Sequence, residues 1–338
     1  MPNETPWEPS PAYPDVRFRA FEPAFKALQI MNSAVRKLTG GCLWAEGPVW
    51  LGDQRALLWS DIPNNRILRW DEETGTVTPF RSPSNNANGN TRDRQGRLVT
   101  CEHLTRRVTR TEYDGAITVL ADRFEGRRLN SPNDVVAAAD GGVWFSDPTF
   151  GIGGHYEGEK AEPELTPAVY RVDPASGAVA MMTDDVAGPN GLAFAPDGRT
   201  LYIVASRAEP REILAFDVVG EGAETRLTSR RVLIACGPDQ SPDGFRLDTE
   251  GRLWCGWGTG DGQNGVRVFD AGGTPLGHID LPERCANVAF GGRHRSRLFM
   301  AASRSLYAVH VNAQGVPGGY KKEDRGKNFP SPSLFWDD

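Results

Sequence analysis

Residues 131–148 read SPNDVVAAADGGVWFSDP, and residues 188–206 read GPNGLAFAPDGRTLYIVAS. Each phrase opens on Pro-Asn, crosses a short apolar stretch, turns at a glycine and ends in a strand rich in aromatic and β-branched residues. This is one antiparallel hairpin written twice. Counting back eight residues from the turn glycine finds the same polar step in four places: Asn88 before Gly96, Asn133 before Gly141, Asn190 before Gly198 and Asp243 before Gly251. Two outer repeats lack the glycine. There EGPVWLGDQRALLWSD supplies Glu46, eight before Gln54, and ANVAFGGRHRSRLFM supplies Asn287, eight before Arg295. The six positions are 42, 45, 57, 53 and 44 residues apart. Helical periodicity is scarce, so the sequence predicts an all-β fold: a six-bladed β-propeller with four-stranded antiparallel blades.

A propeller accounts for the periodic polar residue, because the innermost strand of each blade begins beside a central channel. Six side-chain carboxylates or amides then converge on one mouth. Oxygen donors from separate strands suit a hard cation, which takes six to eight oxygens at about 2.3–2.6 Å. Glu46 and Asp243 would balance a divalent charge, and the amides add dipoles without further charge. Calcium is the first expectation for this metal-containing channel, with Zn²⁺, Mn²⁺ or Mg²⁺ as alternatives. A structural zinc site would favour Cys or His donors, which these positions lack. Any one of the six could instead cap a turn, as Asn and Asp before strands commonly do. Turn chemistry gives no reason for Glu at position 46.

Composition sets the outer limits. The 338 residues are 39% hydrophobic and 24% charged, with a net charge of −6 and no long basic run, which argues against a nucleic-acid groove. No apolar run approaches the roughly 18 residues that cross a bilayer. The start, MPNETPWEPSPAYPD, has neither the basic nor the apolar region of a secretory signal, so a cytoplasmic protein with no membrane partner is expected. Cys42, Cys101, Cys236, Cys255 and Cys285 contain no C-x-x-C pair and are expected as buried thiols.

The segments AEGPVW, LNSPNDVV, GPNGLAF and SPDGFRLD resemble the signatures of the gluconolactonase and senescence-marker-protein (regucalcin-like) family, and the similarity runs from about residue 40 to about 310. The resemblance implies a six-bladed propeller with a divalent metal in its channel and hydrolysis of a sugar lactone, such as D-glucono-1,5-lactone, to the aldonic acid. The family's ligand pattern of one Glu, two Asn and one Asp falls on Glu46, Asn133, Asn190 and Asp243, leaving Asn88 and Asn287 to line the channel and hold water or substrate. A metal that binds the lactone carbonyl stabilises the oxyanion formed when water attacks. Asp243 is the first candidate for the base, with Asp134, His103 and Glu102 as alternatives. Alternation along a strand should turn Asp134 away from the channel. CEHLTRRVTR, at 101–110, also resembles gluconolactonase-like enzymes and places His103 near a strand end, as a substrate-binding or proton-transfer residue. Two rival functions stay open: hydrolysis of organophosphates or other esters on the same propeller, and calcium binding without catalysis.

Other features are weaker. GIGGHYEGEK, at 151–160, opens no helix and so fails as a nucleotide loop; it is expected as an insertion over the channel mouth that brings His155 or Tyr156 near substrate. Arg128 is a candidate for sugar hydroxyls. The absence of G-x-S-x-G and H-E-x-x-H motifs leaves covalent catalysis unsupported. The propeller is assigned to residues 34–315, with AVRKLTG at 34–40 completing the last blade. Residues 1–33 are expected to wrap the outside, with a short helix at EPAFKALQIM, and residues 316–338 to pack on the propeller or on a second copy. Monomer and homodimer remain open.

Overall fold

The structure, a computed structural model, describes residues 7–316. The expected packing of the C-terminal tail lies outside the described residues from 317 onward. Six four-stranded antiparallel units stand around one axis, and their inner strands are Ala45–Leu51, Ala87–Arg92, Val135–Ala137, Pro189–Phe194, Ser241–Leu247 and Cys285–Gly291. Each inner strand touches the next, and the sixth touches the first, so the ring is closed. The six-bladed propeller expected from the repeat is therefore the fold.

The turn chemistry explains the repeat. Gly141 and Gly251 take φ of 92° and 81°, where a side chain would be strained. In the two repeats without glycine, the same left-handed turn is made by Arg55, at φ 46°, and Arg295, at φ 51°. Among the described residues the buried apolar side chains do not form one core. They separate into six clusters, one in each seam between neighbouring blades. One seam holds Val136, Trp144, Leu192 and Ile203; another holds Phe245, Trp257, Tyr202 and Val204. All five cysteines are buried and free.

Residues near the N-terminus close the ring. Arg36–Thr39 pairs with Ser305–His310 as the outermost strand of the sixth blade. Phe18–Ala20 adds a fifth strand to the fifth blade by pairing with Pro275–Asp280. The helix expected at 22–31 is a single turn, Pro23–Lys26. It stops because the chain is then drawn onto the sixth blade, where Gln29 bridges to Val311. Among the described residues no helix is long and apolar enough to cross a membrane.

One local device repeats on the inner strands. The ladder slips at or beside the polar position: between Glu46 and Val49, Ala87 and Asn90, Pro189 and Leu192, Pro242 and Phe245, and Cys285 and Asn287. A bulge of this kind re-aims consecutive side chains. In the third blade Asn133 donates its N–H to Ser146 O while Asp134 O accepts from Ser146 N, so both oppose one residue. The residue after the polar position is glycine in four blades, because it abuts the neighbouring strand. A Cβ on Gly47 would sit 2.1 Å from Asn88 O, and one on Gly191 would sit 2.4 Å from Asp243 O.

Candidate metal centre and active site

The bulges gather the predicted side chains at one mouth of the channel. Glu46, Asn88, Asn133, Asn190 and Asp243 all line a cavity of about 410 Å³. Their side chains are linked in sequence. Asn88 Nδ2 donates to Asn133 Oδ1 at 2.7 Å, Asn133 Nδ2 to Asn190 Oδ1 at 2.8 Å, and Asn190 Nδ2 to Asp243 Oδ1 at 2.8 Å. Asn287 donates to Glu46 Oε2 at 3.1 Å from the sixth blade. Arg284 completes the set by donating to Asp243 Oδ2 at 2.7 Å, its stem lying against Gly258.

These carboxyl groups are crowded and dry. Burial, and then the neighbouring Asp243 and Asp134 carboxylates, push Glu46 well above the ordinary range. Burial also raises Asp243, against the opposing pull of Arg284. Among the described residues no three His, Cys, Asp or Glu side chains cluster as a metal site. The oxygen set here instead combines two carboxylates with two amides, Glu46, Asp243, Asn133 and Asn190, and its buried negative charge fits a hard divalent cation.

Asp134 corrects the expectation from alternation. The bulge at Asn133 and Asp134 turns the Asp134 carboxylate onto the axis beneath the ring, where Asn287 Nδ2 lies at 3.4 Å and Arg246 Nη1 at 3.5 Å. Asp134 occupies a step that is glycine in four other blades. Through Asn287 and Arg246 it links the third blade to the sixth and the fifth. The wider cavity at the opposite end, about 1540 Å³, contains none of the six ring residues.

His103 reaches the site without lining the cavity. It is 1% exposed and lies beneath the 149–160 loop, where a Cβ on Gly151 would collide with its ring. Its Nδ1 is 3.1 Å from Glu157 O, so Nδ1 carries the proton and Nε2 accepts from Asn88 Nδ2 at 3.3 Å. Burial lowers its pKa to about 4, which leaves the ring neutral. Glu102 points elsewhere, taking Arg107 at 2.7 Å and Thr105 at 2.5 Å. Arg128 also lies off the cavity. It sits on a two-stranded hairpin, where its backbone N–H bonds Glu164 and its guanidinium bonds Thr105 O.

The insertion at 151–160 does stand over the mouth. Phe150, Tyr156 and Glu157 line the cavity, while His155 points outward and pairs with Glu159 at 3.2 Å. Burial, and then Asp243, raise the Glu157 carboxyl to about 7. Trp44, Thr149, Glu157 and Arg207 are wall residues that the repeat did not reveal, since they lie on loops outside its register. Arg284 was equally hidden, although it precedes the ring residue Asn287 by three positions.

The chain is similar to known proteins over most of its length. Residues 44–304 match the model of the SMP-30/Gluconolactonase/LRE-like region. A gluconolactonase of Zymomonas mobilis is 27% identical over 87% of this chain and 86% of its own. The pentonolactonase XacC of Haloferax volcanii is 31% identical over 80% and 85%. A solved structure from Xanthomonas campestris, described as a gluconolactonase, superposes with a TM-score of 0.80 at 38% identity, over 91% of this chain and 99% of that one. With its family model matched from the first inner strand to the last blade, the chain belongs to the SMP-30/gluconolactonase/LRE-like family.

Proposed function

We propose that this protein hydrolyses a sugar lactone to its aldonic acid, with D-glucono-1,5-lactone as the reference substrate and a divalent cation, calcium first, at the oxygen ring. The observation that carries the reading is the convergence of Glu46, Asn133, Asn190 and Asp243 on one small-molecule cavity. The lactonases among its relatives, which align over most of their own lengths, support the same chemistry.

A cation held by Glu46, Asn133, Asn190 and Asp243 would supply Lewis-acid polarisation of the lactone carbonyl. The remaining work belongs to the chain. Water adds its oxygen to the carbonyl carbon, the ring C–O bond breaks, and a proton passes to the departing alkoxide. Asp243 orients the attacking water and accepts its proton, while Arg284 and Asn190 hold the carboxylate in place. Glu157, protonated below about pH 7, stands on the same wall to return a proton to the leaving oxygen. Asn88, fixed by His103 and Asn133, faces the substrate. Trp44, Phe150 and Tyr156 give the sugar apolar surfaces and limit water.

The test is hydrolysis of D-glucono-1,5-lactone by purified protein with calcium and after chelation. Turnover that disappears with the metal and returns on its addition is expected. Calcium binding without turnover of any lactone would leave a binding protein in place of an enzyme.

A further inference from the structure

Among the described residues two arginines stand at the ring's mouth, and one of them is paired with a carboxylate. Arg284 is tied to Asp243 at 2.7 Å. Arg207 lines the cavity, yet among the described residues no hydrogen bond or ion pair engages its guanidinium. Its position is nevertheless built. The backbone N–H of Arg207 donates to Ala187 O at 3.0 Å, and Ser206 Oγ donates to Gly188 O at 2.8 Å. The stem then lies along Gly188, where an added Cβ would come within 2.7 Å of Arg207 Cγ. Gly188 has a φ of 61°, so glycine serves both the turn and the passage of the stem. The guanidinium ends over the Phe150 ring, 5.3 Å from its centroid.

This arrangement aims an uncompensated cation across a cavity in which Glu46 and Asp243 are assigned to the metal and Arg284 is paired with Asp243, while burial and Asp243 raise the remaining carboxyl, Glu157, to about 7. A neutral sugar lactone would offer Arg207 hydroxyl acceptors but no charge to balance its own. A lactone carrying a phosphate or carboxylate away from its reacting carbonyl would place that group against a planar fork of N–H donors. The cavity, about 410 Å³, is large enough for the substituent as well as the lactone ring. Phe150 belongs to the loop that His103 anchors, so the arginine's support is tied to the ring.

We propose that Arg207 is a specificity residue for lactones bearing an anionic substituent, a phosphate or a carboxylate, remote from the ester. The inference rests on the lactonase reading and adds the substrate's charge to it.

The experiment compares matched pairs at low ionic strength, where an exposed charge is least screened. D-Glucono-1,5-lactone is set against its 6-phosphate, and D-glucono-1,4-lactone against D-glucaro-1,4-lactone. The wild type should favour one or both anionic members in kcat/KM by roughly ten- to a hundred-fold, the range of a charge-assisted hydrogen bond. Preference within the first pair alone identifies phosphate, and within the second alone identifies carboxylate. Arg207→Gln should bring the ratio within the preferred pair close to one, Arg207→Lys should restore part of it, and Arg207→Glu should invert it. Turnover of all four lactones with ratios near one in the wild type, or ratios that these substitutions leave unmoved, overturns the proposal while preserving the lactonase. No metal-dependent turnover of any of the four removes both.

Discussion

Asp243 meets two demands at once, since its Oδ1 belongs to the amide chain and its Oδ2 to Arg284. Asp243→Asn keeps an oxygen donor of similar size but removes a negative charge and the basic site. Turnover of D-glucono-1,5-lactone at saturating metal should fall roughly 10²-fold or more, the scale of general-base loss. A nearly active variant would reduce Asp243 to a ligand. Asp147 makes a different prediction from the same physics. It is fully buried, and although the Asn130 N–H donates to its Oδ2 at 2.8 Å, burial prevails and raises it to about 7. The unfolded chain gives up this proton near pH 4, whereas the folded protein keeps it to about pH 7. Over that interval the native state binds more protons, so stability falls as pH rises. Melting temperatures at pH 5 and pH 8 should show this drop in the wild type and a smaller one in Asp147→Asn. An equal drop in both would place the pH dependence elsewhere.

The inner strand and the mouth loop show how much chemistry the repeat could carry. Glu46, Asn88, Asn133, Asn190, Asp243 and Asn287 were legible because each lies a nearly fixed step from a turn: Arg295 keeps the eight-residue step without glycine, and in the first blade the left-handed residue, Arg55, falls one position later. The direction of Asp134 was not legible from alternation, which fails where a bulge sets two residues against Ser146. Its one signal was an Asp at a step otherwise occupied mostly by glycine. Arg207, Arg284 and Glu157 project from loops whose paths depend on contacts distant in sequence, and no period marks them. His103 was visible as a residue, but its contact with Glu157 O was not, because the loop that covers it begins some fifty residues later. Since it joins Glu157 O to Asn88, His103→Ala should raise KM for D-glucono-1,5-lactone more than it lowers kcat, and should speed proteolytic cleavage within 149–160. Unchanged KM and unchanged cleavage would show that the loop keeps its place without the imidazole.

At the scale of the molecule, six apolar seams in place of one core mean that each blade is held chiefly by its two neighbours. Closure therefore decides stability, and it depends on residues far from the motifs. Arg36–Thr39 covers the outer edge of the last blade, and Phe18–Ala20 covers that of the fifth. Between them Phe25, 1% exposed, lies on Gly277, where an added Cβ would come within 2.4 Å of its ring. Phe25 and Leu28 join Trp254, Val288 and Tyr307 in the seam between the fifth and sixth blades. The N-terminal segment is thus part of the seam rather than an ornament on it. Phe25→Ala leaves a cavity against strands that cannot collapse onto it, because Gly277 is fixed in the ladder opposite Ala20 and Val268. The expected loss is about 3–5 kcal/mol, read as a lower urea midpoint at nearly constant slope. Met31→Ala, at a side chain 70% exposed, should stay within about 0.5 kcal/mol of wild type. Equal midpoints for the two variants would make residues 7–33 an appendage that the propeller stands without.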